Sequence, residues 1–139
     1  MEFKKIHLYG SDIEDYEVLS ALIQDAAIPT SEMKFDKVEK QFFLVCSRFS
    51  WESRLQNKGN KRIVTGICFD NVIEVKKKNF PSFNSENILN FLTLKKVTGF
   101  IELIFSNNIL IKLVGNNISF RIDDLNKEWP TIFSPNHKN

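Results

Sequence analysis

The chain has 139 residues, 42% of them hydrophobic and 26% charged, with a formal net charge of +2 and a pI near 8.5. That length suits a single domain, 1–139, with a core of its own. The composition excludes disorder, which needs few apolar groups and a high net charge, and it lacks the strong basicity of a dedicated nucleic-acid binder.

No apolar run reaches the ~18 residues of a membrane span, and the opening MEFKKIHLYG carries no signal core. Cys46 and Cys68 sit singly inside apolar runs. Two such thiols make neither a disulfide framework nor a metal-ligand set. A cytoplasmic domain with reduced, buried cysteines and no cofactor is expected.

Phe3 to Tyr9 reads as a first strand closed by Gly10. Ser11 and Glu14 then form an S-x-x-E capping box. Ile13, Tyr16, Leu19, Leu22, Ile23 and Ala26 follow at helical spacing, predicting one amphipathic helix from Asp12 to about Ala26, stopped by Pro29. Glu32 to Asp36 is a short strand and Gln41 to Trp51 a long one, apolar on both parities in its first half. After a polar loop, 52–61, strands are expected over Arg62 to Phe69 and Val72 to Lys77.

Asn79 to Ser85 is a loop by composition, followed by a strand over Ile88 to Lys95 and a turn at Thr98-Gly99. Phe100 to Ser106 and Ile109 to Val114 flank Asn107-Asn108, the strongest hairpin signal in the chain. Asn tolerates positive φ, which a two-residue type I′ turn needs at both positions. That loop pairs Phe105 with Leu110. It places Ile101, Leu103, Phe105, Leu110 and Val114 on one face and Ile104, Ile109, Ile111 and Leu113 with Glu102 on the other. Both faces being mostly apolar, the sheet should be covered on both sides or closed. Ile118 to Leu125 fits a strand running into a short helical turn, and 130–139 an irregular tail. The fold class is therefore α+β: a mainly antiparallel, bent sheet or small barrel, pleckstrin-homology-like in outline, with one N-terminal helix.

LIQDAAI at 22–28, FFLVCSRFSWE at 42–52, IELIFSNNILIKLV at 101–114 and IDDL at 122–125 carry a resemblance. Gln24-Asp25-Ala26 and Arg48-Phe49-x-Trp51-Glu52 are its most specific parts. Together they resemble the bacterial family catalogued as domain of unknown function 2948, over nearly the whole chain. The resemblance implies a single cytoplasmic domain without an assigned activity, and it supplies no catalytic residues. The chain departs from the family at the NFPSF loop, 79–83, and in its many Lys and Asn.

The candidate binding surface comprises Asp25, Arg48, Trp51, Glu52, Lys61, Arg62, Phe80 and Phe83. Arg48 beside aromatics suits a carboxylate or phosphate, or else it pairs with Asp25 or Glu52 and buttresses the helix. Asp25 near a helix C-terminus opposes the dipole and asks for a cation, with Arg48, Lys61 and Arg62 as candidates. Arg54, Lys58, Lys61 and Arg62, then Lys76 to Lys78, then Lys95-Lys96 are basic clusters. Phe80 and Phe83 place aromatics in a loop, where partners are often anchored.

His7 and His137 support no triad, and Asp123-Asp124 point to opposite faces if the segment is a strand. Five scattered Gly make no phosphate loop. An enzyme is not the expected outcome. The first reading is a non-catalytic protein-interaction domain, binding a protein partner or its own copy. Weak anion or nucleic-acid binding through the basic loops is the second, with nucleic acid disfavoured by the modest charge. A small-molecule site or enzyme around Asp25, Arg48 and Trp51 is the third.

Overall fold

The computed structural model describes residues 5–49, 62–81 and 87–125. In chain order these form β1 (His7–Gly10), α1 (Ile13–Leu22), β2 (Ala27–Pro29), a 3-10 turn at Thr30–Glu32, β3 (Met33–Asp36), β4 (Gln41–Phe49), β5 (Arg62–Asp70), β6 (Glu74–Lys78), β7 (Ile88–Val97), β8 (Phe100–Phe105), β9 (Leu110–Val114) and β10 (Ser119–Asp124).

Helix α1 begins one residue later than the S-x-x-E pattern suggests. Asp12 is extended, at φ −92° and ψ 176°, and its carboxylate accepts the Asp15 N–H, while the Asp15 carboxylate accepts from the backbone of Asp12 and Ser11. Aspartate caps as well as serine, and Asp12-x-x-Asp15 wins because Asp15 satisfies two orphan N–H groups at once. The helix also ends earlier than expected, at Leu22. Asp25 takes the left-handed conformation, φ 65°, which breaks the helix and turns the chain into β2. Strand β2 was not anticipated, because Ala26 and Ile28 read equally well as the end of an apolar helix face.

The strands form one ten-stranded, mostly antiparallel open sheet in the order β1-β10-β5-β4-β2-β7-β8-β9-β6, with β3 paired to β4. The chain is thus α+β with a sheet that stays open, β1 and β6 being the ends of the path. Closure into a barrel is not observed. Among the described residues, the β1–β10–β5–β4 half and the β7–β8–β9–β6 half are joined in the sheet through short β2, which pairs Ala27 with Ser47 on β4 and Ala27 to Pro29 with Asn90 to Ile88 on β7.

Both halves turn their inner faces to one core, built from Phe42, Leu44, Ile67, Phe69, Phe120 and Ile122 on one side and Phe91, Ile101, Leu103, Phe105, Ile111 and Leu113 on the other. Edge-to-face pairs, Tyr16 on Phe120 at 4.8 Å and Phe91 on Phe105 at 6.0 Å, add about 0.5–1.5 kcal/mol each beyond the area they bury. Residues 119–124 are strand throughout, which settles the ambiguity of that segment.

The β8–β9 hairpin departs from its expected register by one residue. Leu103 faces Ile111 and Ile104 faces Leu110, and the Phe105 N–H donates to the Ile109 carbonyl. Ser106 therefore joins Asn107 and Asn108, both left-handed at φ 64° and 61°, in the connection. A one-residue shift moves every side chain of a strand to the other face. Ile101, Leu103, Phe105, Ile109, Ile111 and Leu113 are all buried together, while Phe100, Glu102, Ile104, Leu110, Lys112 and Val114 form a half-exposed outer face. The sheet is not greasy on both sides. Its inner face is apolar and its outer face mixed.

Candidate functional site

Of the sequence-predicted residues, Asp25, Arg48, Arg62 and Phe80 lie among the described ones. Arg48, one of the cations offered for Asp25, is committed to Asp124 instead. The Arg48 guanidinium is fully buried and makes a two-pronged contact with Asp124, Nε to Oδ1 at 3.0 Å and Nη2 to Oδ2 at 2.7 Å. Its Nη1 donates to the Phe49 carbonyl at 3.0 Å. Asp124 also accepts from the Thr65 hydroxyl at 2.8 Å and from the Ile6 backbone N–H at 2.9 Å. Each group that desolvates is matched by a hydrogen bond, and the cluster ties β4, β5, β10 and the start of the chain together. Arg48 is thereby withdrawn from the surface, in the structural rather than the ligand-binding alternative, with Asp124 as a partner that the sequence had not offered.

Asp25 is exposed in its left-handed turn. Its backbone N–H donates to the Phe91 carbonyl, and the Arg62 guanidinium lies 3.5 Å from its backbone oxygen. Asp25 lies three residues beyond the end of α1 at Leu22, and of the cations offered for it Arg62 is the one found nearby, at the backbone oxygen. Arg62 is engaged elsewhere, with Nη1 donating to the Ser47 carbonyl at 2.8 Å and its Cζ stacked 4.3 Å over Phe49. Phe80 folds back against the core with the Lys77 ammonium 4.5 Å over its ring. Trp51, Glu52, Lys61 and Phe83, with Arg54 and Lys58, lie outside the described residues.

Among the described residues, the cysteines are buried and the histidine is paired. Cys46 and Cys68 are free and buried. Burial pushes the Cys46 thiol up to about 12, only partly opposed by the nearby Arg48 charge. Burial also raises the Cys68 thiol. His7 Nδ1 contacts Asp123 Oδ1 at 2.6 Å on the exposed side of β1 and β10. Asp123 and Asp124 do face opposite ways, as the strand parity required. Among the described residues, no three His, Cys, Asp or Glu side chains converge as metal ligands would, and no helix is long and apolar enough to cross a membrane.

A different place is concave. Between α1 and β7 runs a groove of about 470 Å³, with Ile13, Glu17 and Ala21 along the helix, Gln24 just past its end, and Leu92, Leu94 and Lys96 along the strand. Its floor includes Tyr16, whose buried hydroxyl donates to the Ile118 carbonyl at 2.7 Å. Burial raises that phenol well above its ordinary value. The Lys96 ammonium lies 5.5 Å over the Tyr16 ring, and Ser20 and Thr93 approach at 3.4 Å across the groove.

The groove exists because β7 changes partners along its length. Residues Ile88 to Asn90 pair with β2 on one side. Beyond the Phe91 contacts with Asp25 and Ala26, the strand pairs only with β8 among the described residues. A bulge between Phe91 and Thr93 re-aims the strand there, leaving Leu92 45% exposed. Ile13, assigned from periodicity to the core face of the helix, is instead 58% exposed at the groove mouth. The available signal was a helix whose aliphatics, Ile13 and Val18, exceed one face, opposite a β7 with apolar residues on both parities, Leu89 and Phe91 against Leu92 and Leu94.

The family model described as Protein of unknown function (DUF2948) matches residues 6–137. No curated protein and no solved structure matches the chain.

Proposed function

We propose, for a chain that belongs to the DUF2948 family, a non-catalytic role in which the groove between α1 and β7 receives an extended, apolar segment of a protein partner. One observation carries this reading: from Leu92 to Val97, β7 has a strand on one side only among the described residues, with the groove on the other. An edge strand presents unpaired N–H and C=O groups, which an added strand satisfies. Main-chain bonds then give affinity and pockets for alternate side chains give selectivity.

The length agrees, and a segment that pairs with β7 displaces the 3.4 Å Ser20–Thr93 contact between helix and strand. Helix α1 has ten residues and is about 15 Å long at the usual rise, which matches an extended segment of about four to five residues. Ile13 and Leu92 offer apolar contacts at the rim, and Glu17 and Lys96 offer one charge of each sign. The same reading takes residues 1–139 as a single cytoplasmic domain whose curved sheet follows a pleckstrin-homology-like outline.

The test is selection of short peptides from a displayed random library on the full chain, followed by affinity measurement on Ala21→Arg. Ala21 is exposed on α1 and lines the groove, and Arg is a good helix former, so this substitution fills the channel without touching the core. Selected peptides should bind the native chain and lose at least about tenfold on the variant, roughly 1.4 kcal/mol. Peptides that bind both proteins equally would contradict the proposal.

A further inference from the structure

We infer that the outward face of β6, β9, β8 and β7 is a second binding surface, separate from the groove, and that it takes an acidic protein segment carrying apolar residues. The register places Lys76, Lys112, Glu102 and Lys95 in one row across the four strands, with Lys76 opposite Lys112, Lys112 opposite Glu102, and Glu102 opposite Lys95. The rows on either side add Lys78 with Leu110 and Ile104, a row that ends where Thr93 enters the groove, and Glu74 with Val114, Phe100 and Val97. Four lysines, Lys76, Lys78, Lys95 and Lys112, thus face two glutamates, Glu74 and Glu102.

Lys76 directly opposite Lys112 is an unfavourable placement. Side chains so paired have Cβ atoms ~4.5–5.5 Å apart, and like charges there destabilise the sheet. Neither ammonium has a carboxylate within ion-pair distance among the described residues. The Lys112 Nζ lies instead 4.3 Å over the Phe100 ring. Lysines on edge strand β6 and on the free stretch of β7 discourage sheet-to-sheet association, but that explanation does not reach Lys112 on β9, which has a strand on each side. An anionic group seated between Lys76 and Lys112 removes the repulsion and gains two charge-assisted hydrogen bonds.

A carboxylate and a phosphate satisfy the two ammonium groups alike. The surroundings favour separate carboxylates on a polypeptide. Glu102 sits inside the row, between Lys112 and Lys95, and would lie against any continuous polyanion. Phe100, Ile104, Leu110 and Val114 are half-exposed around it and gain by apolar cover, which a sugar-phosphate chain does not provide. Acidic residues spaced by aliphatics match both features.

The experiment titrates the isotope-labelled full chain, at low salt, with two probes: a peptide of alternating Glu and Leu and a thymidine oligonucleotide of equal charge. The peptide should move the backbone amide signals of Lys76, Glu102 and Lys112, and Lys112→Glu should weaken it at least about tenfold. Lys76→Gln should also weaken the peptide yet leave the unfolding midpoint unchanged or raised, since it removes a repulsion. Ala21→Arg, which blocks the groove, should leave this binding intact, so failure of one surface is separable from failure of the other. Tighter binding of the oligonucleotide at the same amides, peptide shifts confined to other residues, no shifts, or a lowered midpoint for Lys76→Gln would each overturn the assignment.

Discussion

Asp124 accepts two hydrogen bonds from Arg48, at 3.0 and 2.7 Å, with neither side chain exposed to solvent. The two residues lie on strands that are not neighbours, β4 and β10, with β5 between them supplying Thr65 as a further donor. Desolvating both ions is expensive, so the pair contributes little net stability, whereas removing one partner strands the other in an apolar interior. Asp124→Ala is expected to cost about 3–5 kcal/mol, read from urea unfolding. Arg48→Met combined with Asp124→Leu should cost less than either single change to an uncharged residue. Additive losses in the double variant would show that the two charges are not coupled.

The β8–β9 connection rests on Asn107 and Asn108, both at positive φ. Asn108→Val is expected to lose about 1–2 kcal/mol, because a β-branched residue resists the left-handed region. Asn108→Gly should stay close to the native stability. Thermal unfolding of the two variants checks the contrast, and equal midpoints would mean that the turn adopts another conformation in solution.

That turn also shows where sequence reading succeeds and where it stops. The apolar composition of 100–114 and the Asn pair were enough to place two strands and a hairpin. They did not fix whether Ser106 belonged to strand or loop, and that single residue decides which side chains share a face. Alternation could not arbitrate, since Ile104, Ile109, Ile111 and Leu110 are apolar on both parities. The groove was illegible for a related reason. It depends on β7 exchanging one neighbour for open space after Phe91, a property of strand order rather than of local pattern. Arg48 was legible as an informative residue but its partner was not, because Asp124 is 76 positions away and adjacent to an equally acidic Asp123. The helix, by contrast, was visible from its cap and period, with its ends misplaced by one residue at the start and about four at the finish.

The capping box makes a prediction about acid. Backbone N–H groups, first of Ser11 and then of Asp12, hold the Asp15 carboxyl below the ordinary aspartate value. A depressed value in the folded state contributes stability above the unfolded value of about 3.9, and that contribution is lost as pH falls through the folded value. The acid-induced drop in stability below about pH 4 should therefore be shallower in Asp15→Ala than in the native chain. Parallel curves from pH 5 to pH 2 would remove Asp15 from the acid response.

The free side of β7 is tested most directly by amide hydrogen exchange, residue by residue, on the full chain with and without a library-selected peptide. Amides between Leu92 and Val97 that point away from β8 should exchange faster in the free chain than those of Leu89 and Phe91, and should slow when the peptide is added. Slow exchange at those positions in the free chain, unchanged by a bound peptide, would mean that the edge is already satisfied and that the groove is not where this protein meets its partner.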